Sequence, residues 1–163
     1  MKQFFLSTLL LFTGAAWAGT SEDAEFTAAM NRGDYATMLR IIRPEATQGD
    51  GDAQSNLGAM YEGGKGVAQD FIEAVRWYRL SAEQGKGVGQ YNLGRMYIQG
   101  YGVPQDFVIA HMWLNLSAAL GWPGAWEAKK ERDRITPHMT RLQIAEAQKM
   151  ARDCQARRFK RCN

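Results

Sequence analysis

The chain repeats itself. Residues 54–85, QSNLGAMYEGGKGVAQDFIEAVRWYRLSAEQG, return as residues 90–121, QYNLGRMYIQGYGVPQDFVIAHMWLNLSAALG. An offset of 36 residues superposes Leu57 on Leu93, Gly58 on Gly94, Met60 on Met96, Tyr61 on Tyr97, Asp70 on Asp106, Ala74 on Ala110, Trp77 on Trp113 and Ala82 on Ala118. A fixed period of that length marks a stacked array, in which no unit covers its own apolar face and each is stabilised by its neighbour. Within a unit, Leu57, Met60 and Tyr61 share one stripe, as do Ala74, Tyr78 and Ala82. Spacings of three and four residues are helical. The fold class that follows is all-α, a stacked array of helix pairs.

The first unit is predicted to start near Asp52, as the cap of a helix reaching about Glu62, with Gly63-Gly64-Lys65-Gly66 supplying the left-handed residue that ends it. Asp70 to Glu73 has the form of a capping box opening the second helix, and Gly85-Lys86-Gly87 closes the unit. The second unit repeats each step, with a helix over Asn92 to Gln99, a turn at Gly100 to Gly102 and a helix over Asp106 to Ala119. Gly58 lies inside a helix at a cost of about 1 kcal/mol relative to alanine. Its return as Gly94 predicts a neighbouring helix too close for a side chain.

Upstream, Ser21 to Asn31 forms a short amphipathic helix closed by Gly33, and Asp34 caps a second helix to about Ala46. Asp34, Tyr35, Ala46 and Gly49 fall on Asp70, Phe71, Ala82 and Gly85 at the same offset, so this pair is a degenerate repeat. Pro44 predicts a kink or an early stop. Downstream, Pro123 opens a helix to Ile135, Thr136-Pro137 breaks it, and Thr140 with Gln143 forms a second capping box. This polar, basic pair reads as the cap that an open solenoid needs over its last core face. The expected layout is a leader over 1–18 and one domain over 19–163. That domain divides into a leading pair (23–49), two repeats (53–88 and 89–124) and a helical cap (125–163).

The leader rests on Lys2, the apolar run Phe4 to Phe12 and the small-residue pattern Ala16-Trp17-Ala18, which predict a secretory signal cut after Ala18. An uncleaved anchor or a buried first helix is the other reading of the same residues. Export predicts a periplasmic or secreted product with no transmembrane segment after cleavage. An oxidising compartment favours a disulfide between Cys154 and Cys162. On one continuous helix they would stand about 12 Å apart, beyond disulfide reach, so the last helix must end before Cys162. So short a loop stabilises a fraying terminus by about 2.5 kcal/mol in the chain-entropy account.

Charge is segregated. Lys129 to the end holds eleven Lys and Arg against four acids, and Gly19 to Ala128 holds eight against thirteen. The basic C-terminus suits peripheral contact with an anionic envelope surface or an acidic partner. It equally suits a solvated helix face whose charge complements the helix dipole. Export argues against nucleic acid. Catalytic and metal-binding constellations are missing: His111 and His138 have no acid or cysteine at a motif spacing, and the cysteines are not a CxxC pair. Gly63-Gly64-Lys65-Gly66 follows a helix and lacks the hydroxyl residue of a phosphate loop. No cofactor is expected, and the Asn115-Leu116-Ser117 sequon sits mid-helix.

The pattern LGxMYxxGxGVxQDxxxAxxW, at Leu57 to Trp77 and again at Leu93 to Trp113, resembles the Sel1-like repeat, a relative of the tetratricopeptide repeat. The resemblance implies an α/α solenoid of antiparallel helix pairs, a superhelix whose concave surface holds other proteins, and together with the predicted export an adaptor or regulatory module of the cell envelope rather than an enzyme. The alternative it carries is binding or hydrolysis of β-lactam or cell-wall compounds, as in cysteine-rich members of the family. Those members place cysteines in every unit, and this chain has none in its repeats. Positions that differ between the units are free to serve a partner: Ser55 becomes Tyr91, Ala59 becomes Arg95 and Glu62 becomes Ile98. They share one stripe of the first helix. First helices line the concave side in such solenoids, so Glu62, Tyr91, Arg95, Ile98 and Gln99 are the candidate contacts with a protein partner. Surface drift would leave the same differences.

Overall fold

The computed structural model describes residues 21–162, and the leader and its cut after Ala18 lie outside them. Among the described residues there are eight α-helices and no strand: α1 (Ser21–Arg32), α2 (Tyr35–Gln48), α3 (Gly51–Gly63), α4 (Phe71–Ala82), α5 (Gly87–Gln99), α6 (Phe107–Ala118), α7 (Ala125–Ile135) and α8 (Arg141–Ala156). At α2, α3, α4, α6 and α8 the helix begins where a side chain accepts an orphan amide of its first turn, whereas α5 and α7 start without a side-chain cap. Asp34 accepts from the Thr37 amide, Asp70 from those of Ile72 and Glu73, and Asp106 from those of Val108 and Ile109. Thr140 and Gln143 form the expected reciprocal box. Left-handed Gly64 and Gly100 end α3 and α5.

Several expected boundaries move. Asp50, not Asp52, caps α3, by accepting from the Ala53 amide at 2.7 Å. At α4 the box is one-sided, because Glu73 turns to Arg76 while the Asp70 amide donates to the Tyr61 carbonyl at 3.0 Å. The Asp106 amide does the same to Tyr97, so this hydrogen bond ties the end of each first helix to the start of its second. Pro44 neither stops nor shortens α2, which runs on to Gln48. The ring lies on the exposed face, where a deprived carbonyl can turn to water, and Ile42 and Ala46 hold the helix to the core.

Gly87 was expected to close a unit, but it opens α5, five residues before Asn92. A Cβ on Gly87 would collide with the Trp122 indole, and one on Gly89 with the Ser81 hydroxyl. These glycines serve close approach rather than a turn. Pro123 likewise stands before α7, which starts at Ala125.

Consecutive helices pack against one another from α1 through α7, and first helix touches first helix where α3 meets α5 and α5 meets α7. The interlock is the one expected at the helical glycines. A Cβ on Gly58 would stand 2.7 Å from the Tyr78 ring, and one on Gly94 2.8 Å from Leu114. Two serines clamp the other end of each unit: Ser81 donates to the Gly51 carbonyl at 2.7 Å and Ser117 to the Gly87 carbonyl at 2.8 Å. Leu57, Met60, Ile42 and Trp77 form a leading core cluster, while Tyr78, Leu93, Met96, Trp113 and Leu116 belong to a larger one. Tyr61 packs against both.

The last two helices depart from the hairpin pattern. Both α7 and α8 pack on α6 rather than on each other, separated by a 3-10 turn at Thr136–His138. Beyond Ala156 the chain turns through Arg158, Phe159 and Arg161, all at positive φ, and returns Cys162 to Cys154 in a disulfide with a Cα separation of 5.0 Å. Both cysteines are buried. Phe159 packs into the core and lies against Gly85, in the bend between α4 and α5. The bridge therefore closes a tertiary contact as well as a terminus.

Candidate functional site

The first helices α3 and α5 carry the residues that vary between units. Three of the five candidates converge around Glu62. Its carboxylate accepts the Tyr78 hydroxyl at 2.6 Å and faces the Arg95 guanidinium at 3.4 Å. Arg95 in turn lies over the Tyr91 ring, 5.8 Å from its centroid, and Tyr91 meets Trp122 at 6.2 Å. Burial, reinforced by the Glu62 carboxylate, pushes the Tyr78 phenol well above its ordinary range, so it stays a neutral donor. Burial raises the Tyr91 phenol as well.

Ile98 and Gln99 sit at the other end of α5. With Arg95 they line a shallow recess of about 170 Å3 completed by Glu131 and Arg134 of α7. Ile98 is almost wholly buried and Gln99 is exposed, so the recess has an apolar floor and a polar rim. Of the matching positions in α3, Ser55 is buried, with its hydroxyl donating to the Asp52 carbonyl, whereas Ala59 is exposed. Sequence reasoning did not find Glu131 and Arg134, since they lie beyond the repeat and only the stacking of α7 beside α5 brings them in.

Little here suits bond chemistry. The cysteines are joined, and among the described residues no group of three His, Cys, Asp or Glu could hold a metal ion. His111 is buried with its Nδ1 unpartnered, and its pKa is pushed below the ordinary histidine value, mainly by burial and then by Arg132. His138 lies beside Phe107 on the 3-10 turn. Among the described residues no helix is long and apolar enough to cross a membrane.

Helix pairs stacked each on the next define a helical-repeat scaffold of the protein-interaction class. The Sel1 repeat family model matches residues 51–86 and 87–122. The chain is a Sel1-like repeat protein. Its structure is similar to that of a protective antigen present in uropathogenic Escherichia coli strains, which displays an SLR fold, with a TM-score of 0.71 and 27% identity over 86% of this chain and 32% of that one. It is also similar to a Sel1 repeat protein from Oxalobacter formigenes, with a TM-score of 0.63 and 25% identity over 71% of this chain and 45% of that one. The chain thus spans less than half the length of either. No curated protein matches it.

Proposed function

We propose that the protein is an exported adaptor or regulatory module of the cell envelope, which holds a protein partner along α5 and α7. The observation that carries this reading is the recess bounded by Arg95, Ile98, Gln99, Glu131 and Arg134, continuous through Arg95 with Tyr91 and Glu62. It combines an aromatic ring, two guanidinium groups and a small apolar floor, the residue types that dominate protein-binding hot spots. Export is supported by the Lys2 to Ala18 leader pattern and by a disulfide, which persists in oxidising compartments. The basic C-terminus gives the module a second means of staying near an anionic envelope surface.

The test is crosslinking in intact cells followed by mass spectrometry, with wild type compared against Tyr91→Ala/Arg95→Glu. The expected result is loss of crosslinks to one defined protein, with the helical content of the variant unchanged. Equal capture by both forms removes this stripe as the contact surface. Fractionation of the cells checks the compartment, and a product retained in the cytoplasm overturns the export part of the reading.

A further inference from the structure

Three segments far apart in the chain meet at one corner of the fold: the bend between α4 and α5, the bend between α6 and α7, and the loop after α8. Gly87 of the first bend lies against the Trp122 ring of the second, and Gly85 lies against the Phe159 ring of the loop. Glu83 shares an open recess with Arg157, Lys160 and Arg161. The loop is held in place: the Cys154–Cys162 bridge closes it and Phe159 packs into the core. Arg158, Phe159 and Arg161 stand at positive φ, a conformation that non-glycine residues keep only where their surroundings impose it.

Two properties coincide at this corner. The first is positive charge without a partner. Over residues 80–88, 119–130 and 157–162, Lys86 is paired with Asp52, and none of the six other Lys and Arg forms an ion pair among the described residues; the carboxylates there are those of Glu83 and Glu127. Arg157 complements the end of α8 by donating to the Asp153 carbonyl, and the exposed Arg158, Lys160 and Arg161 are in excess of that role. The second is exposed apolar surface. Trp126, in the first turn of α7, is 65% exposed with Lys130 over its ring, and Val88 and Leu120 beside the two bends are exposed as well.

Cations alone would suit any polyanion. A tryptophan and aliphatic side chains set among unpaired cations suit a lipid interface, where an indole sits at headgroup level and Lys and Arg meet the lipid phosphates. We infer that this corner docks on an anionic membrane surface, with Arg158, Lys160 and Arg161 toward the phosphates and Trp126 at the headgroups. The inference rests on the reading of the basic C-terminus as an envelope contact, and it adds the tryptophan anchor, the two bends that share the surface and the lipid chemistry.

The test is sedimentation of the purified chain, its bridge intact, with vesicles of phosphatidylcholine and with vesicles in which about one third of the lipid is phosphatidylglycerol. Binding is expected to the anionic vesicles alone, and it should weaken with added salt. Arg158→Gln/Lys160→Gln should weaken it by more than about tenfold, at about fivefold per cation, and Trp126→Ser by about fivefold, while the thermal midpoint of each holds. Arg43→Gln/Lys65→Gln removes the same charge from exposed positions of the leading units and should leave binding within about twofold of wild type. An equal loss in that control pair, or no loss in Trp126→Ser, would overturn the site, as would equal binding to neutral vesicles. Release by inorganic phosphate beyond that caused by chloride at the same ionic strength would assign a site for a single anion, and capture by polyglutamate without vesicle binding would assign an acidic protein; either result overturns the membrane. The α5 recess is read separately, on protein crosslinks, so failure on vesicles leaves that reading standing and loss of the crosslinks leaves this one.

Discussion

The buried side-chain oxygen of Gln90 has no hydrogen-bond donor because Leu120 stands where Gln84 serves Gln54 one unit earlier. Both Gln54 and Gln90 use their amide nitrogens on a carbonyl of the preceding helix, Ala46 and Ala82 respectively. In the first repeat Gln84 then donates to the Gln54 oxygen at 2.8 Å. An unpaired buried acceptor costs its desolvation, about 1–3 kcal/mol. Leu120→Gln should therefore stabilise the protein by about 1 kcal/mol, since Leu120 is 39% exposed and gives up little burial. Urea unfolding reads this directly, and the converse Gln84→Leu should destabilise by a similar amount.

Gly58→Ala sets helix propensity against packing. Alanine gains about 1 kcal/mol in a helix interior, but its Cβ would meet two Tyr78 ring carbons at 2.7 Å and the Ala74 carbonyl oxygen at 3.2 Å. Tyr78 cannot retreat without giving up its hydrogen bond to Glu62. Overpacking of this kind costs about 1–3 kcal/mol, so the variant should be less stable than wild type despite the better helix former. A rise in the urea midpoint would contradict this.

Removing the Cys154–Cys162 bridge should lower stability by about 2.5 kcal/mol on the chain-entropy account. The loss should spread beyond the tail, because Phe159 lies against Gly85. Hydrogen exchange of Cys154→Ser/Cys162→Ser, compared with wild type, should show faster exchange at the bend from Glu83 to Lys86 as well as after Ala156.

His111 makes the fold sensitive to acid. Burial lowers its pKa, so the folded protein resists a proton that the unfolded chain accepts. Its contribution to stability is therefore intact above the ordinary value near 6.5 and falls as the pH drops below it, levelling off once the lowered folded-state pKa is passed. The same position holds Val75 in the first repeat. His111→Val should flatten the dependence of the thermal midpoint on pH below about 6.5, and an unchanged slope would assign the acid sensitivity elsewhere.

The repeat made most of this architecture legible, because stacking demands the same residue at the same place in every unit. Gly58 and Gly94 were readable as close-approach positions, and Tyr78 and Leu114 are the neighbours they admit. Boundaries were harder. Gly87 looks like part of a turn in one dimension, and only Trp122, packed against it, shows why a helix needs glycine there. Pro44 carries a strong local signal against a helix, which the burial of Ile42 and Ala46 overrides. On the candidate stripe, the sequence placed Tyr91, Arg95 and Ile98 on one helix face, but not the burial of Ile98 or the pairing of Arg95 with Glu62 across two helices.

By itself the sequence determined the all-helical class, the unit length, most capping residues and the joining of the two cysteines, since each follows from local periodicity, local hydrogen bonding or a short covalent loop. Tertiary structure alone decided that α7 and α8 both lie on α6, that Glu131 and Arg134 complete the α5 recess, and that the C-terminal loop meets the bend between α4 and α5. These depend on which surfaces remain unfilled once neighbouring helices are in place. Side-chain volume at one position creates or closes a space only against partners that are distant in the chain.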